Sequence, residues 1–560
     1  MKLRKFSIVL LAAAICFALA PVGASADPSV AAVLSPVASV KQGGTVAITG
    51  TSTLSEVIIK VLRPDNAGIV YYDIVKVTDG RFAVSFTLLA SEPAGTYQVI
   101  AGQASQVSSR ELVVQAADVV VPPVNPPVNP GPVVGPGGAP AAGTGLAVTI
   151  GGSVAGSIAT AAAAEQNGKT VVTVTVDAQQ LSAGLANAGD KPSVVIPVTA
   201  ASDKTSVVLT GDAVKALENK NAVLEIRTPN GSYKLPAVEV LIDQLAGQFG
   251  TSATLSSITV QVEIAKSDEA AAQLLANAAR KGEYTIVVPP VDFTVTASYG
   301  GQTVNVTRFQ AYVEREIPLP AGVDASKVTT AIVLNADGTP RSVPTKIVTR
   351  DGVSYAIVNS LTNSAYALIR NPVAFGDMEG HWAKQAVNNM GSRLIISGIG
   401  GGRFSPDRDI TRAEFAAIVV RGLGLEQDGG GASEFSDVQP SAWYNGAIST
   451  AHAYGLIGGF EDGTFRPNDR ITREQAMVII AKAMKITQLQ GASPEHSPDR
   501  IETFADADEL SGWAISSAAD SIQAGLISGR GNHMLAPKAY VTRAEVASII
   551  ERLLTGSDLI

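Results

Sequence analysis

Residues 458–476 read GGFEDGTFRPNDRITREQA, a glycine-marked turn followed by the start of a helix. Thr472 and Gln475 stand three apart and form a capping box, in which the Thr hydroxyl accepts the N3 amide while the N3 side chain returns to the cap amide. Behind this cap, Ala476, Ile479, Ile480 and Met484 fall on one helical stripe. A turn and an amphipathic helix are therefore predicted from this segment alone.

The same arrangement occurs three times. Aligning the three tryptophans of the chain, Trp382, Trp443 and Trp513, places a Phe-x-Asp before each: Phe375 and Asp377, Phe435 and Asp437, Phe504 and Asp506. Sixteen residues after each Trp comes a glycine, Gly398, Gly459 or Gly529. Phe404, Phe465 and Leu535 follow at 22, Pro406, Pro467 and Pro537 at 24, and Arg412, Arg473 and Arg543 at 30. Thr411 with Glu414 and Thr542 with Glu545 repeat the capping box. Phe415, Ile418, Val419 and Leu423, then Val546, Ile549, Ile550 and Leu554, repeat the stripe. One helix pair buries too little surface to stand alone, so the copies are expected to share a core.

These residues resemble the S-layer homology family, whose repeats run from FxD through a Trp-containing helix and a GxxDGTFxP-like turn to a (T/S)RAE motif. The resemblance covers about 374 to 555, with repeats at 374–425, 434–486 and 503–555. It implies a pseudo-threefold all-α unit that binds an anionic secondary cell-wall polymer bearing pyruvate ketals. Expected polysaccharide contacts are Arg412, Arg473, Arg543, Trp382, Trp443, Trp513, Asp377, Asp437, Asp506, Gly398, Gly459 and Gly529.

An arginine at N1 opposes the helix macrodipole by a few tenths of a kcal/mol, so its recurrence points to an anion, either an internal carboxylate such as the Phe-x-Asp aspartate or a ligand acid. The planar fork can grip a carboxylate twice, and the helix N-terminus is expected to add amide donors. Lying off the apolar stripe, the arginines are expected to serve binding without holding the fold. The tryptophans fit a core or a groove wall facing a sugar. The glycines are read as helix C-caps of positive φ. The third copy, GRGNHMLAPKAYVTRAE, lacks the DGTF turn but keeps Arg543.

Outward from the repeats, Lys2, Arg4 and Lys5, an apolar run from Phe6 to Leu19 and Ala24-Ser25-Ala26 have the three parts of a signal peptide over 1–26. Its removal takes away three basic residues and shifts the formal charge from -8 to -11. That field repels nucleic acid and anionic membranes. No later apolar run matches a bilayer core of about 30 Å, and Cys16, the one cysteine, lies in the leader behind Ile15. Membrane insertion, lipid anchoring, disulfides and thiolate metal sites are thereby argued against, and a secreted, wall-associated S-layer or surface protein is expected.

Residues 27–116 read as an immunoglobulin-like β-sandwich, with strand-like segments at 45–49, 56–62, 69–77, 81–88, 96–101 and 110–114. Residues 117–145 hold eight prolines between Pro122 and Pro140 and form a semi-rigid linker. Residues 146–372 read as a β-rich α+β region of one or two domains, with hairpin turns at Asn167-Gly168, Pro229-Asn230-Gly231 and Asp337-Gly338. Helical spacing interrupts it at 237–249 and 268–281.

No HExxH, no i, i+4 histidine pair and no phosphate loop is present, and no cofactor is expected. The chain is read as a non-enzyme. The rival is a wall-anchored hydrolase with catalytic acids in the middle region, though aromatics at 5 % of the chain are few for a sugar cleft. A lattice-forming subunit, which self-associates in a surface layer, and an adhesin or spacer both fit.

Overall fold

The computed structural model describes residues 32–42, 44–64, 69–88, 93–103, 106–116, 144–250, 252–335, 339–427, 433–489 and 501–560. The expected signal peptide, all but two residues of the linker and the Asp337-Gly338 turn lie outside the described residues. Two compact units are present: the described residues up to 118, apart from Val70–Asp73, form the first, and the remainder form the second.

In the first unit, Thr45–Ser52 alternates exposed and buried residues along its whole length, the pattern of a strand with one face on a core. It pairs with Ala32–Leu34 and Arg81–Thr87 in a three-stranded sheet. A five-stranded sheet runs in the order Val40–Lys41, Gln106–Gln115, Gly95–Gln103, Glu56–Leu62, Ile69–Lys76. Each segment expected to be extended holds a strand.

The middle region builds two larger sheets, of eight and ten strands, around one core that includes Val174, Ile196, Val207, Ile226, Val260, Phe293, Val358 and Leu368. Most neighbours are antiparallel. Two pairs are parallel, Lys169–Val176 with Lys204–Thr210 and Ser193–Pro197 with Val223–Thr228. Helices α1 (Ala178–Ala186) and α2 (Gly211–Asn219) lie in these crossovers. Both escaped the reading from sequence, although Asp177 and Thr210 cap them in the ordinary way. The expected helix at 237–249 is broken by Leu241, which is left-handed at φ 54°, leaving a 3-10 turn and α3 (Ile242–Gln248). Helix α4 (Glu269–Lys281) forms as expected behind Asp268. At Asn167-Gly168 both residues have positive φ, 50° and 72°, which fits the tight hairpin joining Ala159–Gln166 to Lys169–Val176.

Arg315 lies at the centre of this region with 0 % exposure. Its guanidinium donates to the carbonyls of Val313, Ser360 and Thr362, to Asn363 Oδ1 and to Tyr233 Oη, between the rings of Tyr233 and Tyr366 at 4.9 Å each.

The C-terminal repeats contribute α5 (Lys384–Ser392), α6 (Arg412–Gly422), α7 (Asn445–Ala453), α8 (Arg473–Ile486), α9 (Ile515–Gln523) and α10 (Arg543–Gly556). All three capping boxes have both legs in place. The single stripe expected for the second helix of each repeat is too narrow a description. Helix α6 buries Ala413 and every residue from Phe415 to Val420, because it is enclosed by α7, α10 and the strand Pro340–Val343. Helix α8 packs on α9, and α10 on α5, so each second helix meets the first helix of another repeat. The three copies share one core, as expected, and Leu361 of the middle region belongs to it.

The middle region grips the repeats at further points. Tyr312 Oη donates to the Leu423 carbonyl at 2.7 Å, buried Arg341 donates to the Gly424 carbonyl, and Arg393 returns a bond to the Thr345 carbonyl at 2.9 Å. The second residue after the first helix of each repeat is left-handed: Gly455 and Gly525 in two copies, but Leu394 at φ 61° in the first. Its side chain packs on the cluster of Leu275, Tyr284, Ile332 and Ile369, which accounts for a leucine where the backbone favours glycine.

Candidate polysaccharide-binding grooves

The turn before each second helix is held by the Phe-x-Asp aspartate. Asp377 accepts the amides of Phe404 at 2.8 Å and Ser405 at 2.7 Å, Asp437 those of Phe465 and Arg466, and Asp506 those of Leu535 and Ala536. The second residue of each pair is a left-handed non-glycine, with φ 61°, 58° and 52° for Ser405, Arg466 and Ala536. The carboxylate thus fixes a strained corner. Burial works against ionisation of Asp377, but the Phe404 and Ser405 amides outweigh it and hold its carboxyl below the usual range. Of the two anions considered for the arginines, these aspartates are not in ion-pair contact with them.

The arginines instead reach into another repeat. Arg412 Nε donates to the Phe465 carbonyl at 2.9 Å, Arg473 to the Leu535 carbonyl at 2.8 Å through Nε and to the Ser528 carbonyl at 2.7 Å through Nη2. Arg543 closes the series on the first repeat, bonding the carbonyls of Phe404 at 2.9 Å and Ser397 at 2.7 Å. Arg473 and Arg543 are only 4 % and 5 % exposed. The expectation that these side chains stand apart from the fold is therefore corrected: each is a clasp between repeats. Burial pulls the Arg473 guanidinium below its ordinary pKa, with the charge of Glu545 opposing the shift.

The helix N-termini are likewise committed. The amides of Arg412 and Ala413 donate to the carbonyls of Asp469 and Pro467, those of Arg473 and Glu474 to Ala539 and Pro537, and those of Arg543 and Ala544 to Arg408 and Pro406. The cap Thr takes the N3 amide. The first three amides thus have protein acceptors, and the expected supply of donors to a bound anion is corrected accordingly.

Gly398, Gly459 and Gly529 are not left-handed C-caps. A Cβ on Gly459 would lie 2.4 Å from the Phe435 ring and 2.8 Å from the Thr464 carbonyl, and the other two meet Phe375 and Phe504 in the same way. Glycine is needed there for close approach of the turn to the Phe of Phe-x-Asp.

Three hollows result. The Arg543 groove, about 240 Å³, is lined by Ser397, Gly398, Glu414, Arg421 and Trp443. The Arg412 groove, about 130 Å³, has Gly458, Gln475, Lys482 and Trp513 at the corresponding places. The Arg473 groove, about 450 Å³, has Ser528, Gly529, Glu545, Arg552 and Trp382, with Arg530 added. A further hollow of about 270 Å³ shares Trp382, Arg530 and Glu545 and continues to Tyr540. The tryptophans are 63 %, 62 % and 59 % exposed for Trp382, Trp443 and Trp513, so they are groove walls and not core. Each groove draws its arginine, its turn and its tryptophan from three different repeats. Asp377, Asp437 and Asp506 line none of the four hollows. Sequence reasoning missed Arg421, Lys482 and Arg552, although each lies seven residues after the capping-box acid or amide, two helical turns along the same face.

Similarity to known proteins agrees with this architecture. The model of the S-layer homology domain matches residues 374–416, 434–477 and 503–547. The chain is 36 % identical over 202 residues to an amylopullulanase of Thermoanaerobacterium thermosulfurigenes, covering 36 % of this chain and 10 % of that protein. It is 34 % identical to the exoglucanase XynX of Acetivibrio thermocellus over 35 % of this chain and 18 % of that one. With the surface-layer 125 kDa protein of Lysinibacillus sphaericus the figures are 32 %, 32 % and 14 %. The chain thus spans between a tenth and a fifth of the length of these relatives. Among the described residues no helix is long and apolar enough to cross a membrane. The chain thus carries three S-layer homology domains, over residues 374–416, 434–477 and 503–547.

Proposed function

We propose that the grooves bind an anionic, pyruvylated secondary cell-wall polysaccharide and so anchor the chain to the wall without a covalent bond. The observation that carries this reading is the recurrence, in each groove, of an exposed indole lining the hollow together with at least two cations. An indole offers a flat apolar face to a sugar ring, and the cations attract a ring-borne carboxylate. Trp382, Trp443 and Trp513 form the walls; Arg412, Arg473 and Arg543, with Arg421, Lys482 and Arg552, supply charge; Gly398, Gly459 and Gly529 let the turn approach. Asp377, Asp437 and Asp506 act by holding that turn.

The cyclic succession of clasps supports a pseudo-threefold unit. The first unit then serves as an immunoglobulin-like module and the middle region as a spacer, adhesive or lattice-forming part, with self-association in a surface layer as one outcome. A second reading, a wall-anchored hydrolase, is favoured by relatives named amylopullulanase and exoglucanase. Incubation of the mature protein with wall polysaccharide and peptidoglycan separates the two, since release of reducing ends would favour the enzyme.

The anchoring itself is tested by co-sedimentation with cell-wall sacculi before and after mild acid removal of pyruvate ketals. Pelleting with the first and not the second is expected. Equal pelleting with both would remove the carboxylate from the argument.

A further inference from the structure

The three grooves differ in what already occupies the arginine. In the Arg473 groove, Nη1 is paired with Glu545 at 2.8 Å, and Arg530 grips the same carboxylate. In the Arg543 groove, Nη1 faces Glu414 at 3.3 Å, which Arg408 also holds. Each N3 glutamate thus fills the free edge of its fork from within the protein.

The Arg412 groove has Gln475 at that position, and no acid lines it. Arg412 rests on the rings of Phe465 and Phe460 at 4.6 and 4.8 Å, spends Nε on the Phe465 carbonyl, and makes a long 3.4 Å contact from Nη2 to the Gly458 carbonyl. Among the described residues it has no ion pair, and neither has Lys482. Asp469 and Asp437 act on Arg412 only at longer range. A guanidinium edge and an ammonium are therefore left facing one hollow lined by an indole.

Resting on the reading that the grooves hold an acidic saccharide, we propose that the Arg412 groove is the principal carboxylate site and that Gln475 makes it so. Glutamine keeps the capping box closed, since its Oε1 accepts the Thr472 amide at 3.1 Å, without adding a charge that competes for the arginine. A ligand carboxylate entering either other groove must displace or share an internal one.

Because the chain has three tryptophans and each lines a different groove, the three indole N–H signals report the grooves separately in a nuclear magnetic resonance titration. The probe is the methyl glycoside of an N-acetylhexosamine carrying a pyruvate ketal, titrated into the full chain, with signals assigned by single Trp→Phe variants. The Trp513 signal is expected to move at the lowest concentration. In Gln475→Glu that response should weaken by about tenfold or more, equivalent to about 1.4 kcal/mol, with no fall in melting temperature because glutamate is an ordinary N3 residue. Glu545→Gln should bring the Trp382 response to lower concentration. Earlier movement of Trp382 or Trp443 in the wild type, or an unchanged Trp513 response in a folded Gln475→Glu, overturns this inference while leaving the anchoring reading in place. Absence of any indole shift overturns both.

Discussion

Buried arginines hold together both the middle region and the repeats, but they are used differently. Arg315 is sealed in: five neutral oxygen acceptors take up its Nη1 and Nη2 donors between two flanking rings, Nε is buried without an acceptor among the described residues, and nothing of it reaches solvent. Arg412, Arg473 and Arg543 spend one edge on carbonyls of another repeat and turn the other toward a hollow. A cation enclosed on every side by the protein belongs to the fold alone. Only Arg412 has that other edge left over, because Glu545 and Glu414 already occupy it in Arg473 and Arg543, so a substitution at either of these two breaks an internal ion pair as well as a clasp.

The sharpest test of that contrast is Arg315→Ala. It orphans several buried carbonyls and opens a cavity the size of a large side chain, so a loss on the order of 3–5 kcal/mol is expected in chemical denaturation of the middle region. A loss below 1 kcal/mol would mean that the aromatic cage closes without its cation.

Next in size, Arg473→Ala should cost about 2–4 kcal/mol and also weaken wall binding, because the Leu535 and Ser528 carbonyls lose their donor and Glu545 keeps only Arg530 as an ion-pair partner. Arg412→Ala should cost less stability, since fewer of its donors are engaged. Equal losses of stability at the two positions, measured by thermal unfolding, would break the distinction between the grooves.

Gly459→Ala probes the turn without touching a charge. The clash with the Phe435 ring and the Thr464 carbonyl should cost about 1–3 kcal/mol and reduce binding in the Arg412 groove. A variant of wild-type melting temperature would show that the ring moves aside freely.

The smallest effect is expected for Thr411→Ala, about 1 kcal/mol, from loss of the cap hydroxyl that accepts the Glu414 amide at 3.2 Å. Sacculus binding should persist. A cost above about 2 kcal/mol would place the cap among the contacts between repeats, where the Thr411 and Arg470 backbones form a bridge.

Local signals were the legible ones. Each capping box and the hairpin at Asn167-Gly168 depend on residues a few positions apart, and three copies of one spacing separate signal from accident. Leu241 and Leu394 were not legible, because a left-handed leucine is favoured by nothing in its own neighbourhood; for Leu394 the reason is a packing site on Tyr284, Ile332 and Ile369, far away in sequence. The site was partly legible for the same reason. Arginine, glycine and tryptophan were found by their recurrence, but the arginine's partners lie 46 to 146 residues away, so its role as a clasp could not be read. The commitment of the N-terminal amides to Pro406, Pro467 and Pro537 carbonyls was hidden likewise. Arg421, Lys482 and Arg552 needed only a count of seven from the cap.

The clasps also fix how many repeats can exist. In a solenoid, units stack on their neighbours in an open row, and copies can be gained or lost by duplication or deletion while the ends stay capped. Here Arg412 reaches the second repeat, Arg473 the third, and Arg543 returns to the first, so there are no ends. Deleting one copy leaves one turn without its arginine and one arginine without its turn among the survivors, and inserting a fourth forces the succession open. Loss or gain of a single copy is therefore expected to destabilise this unit in a way that it would not destabilise an open row.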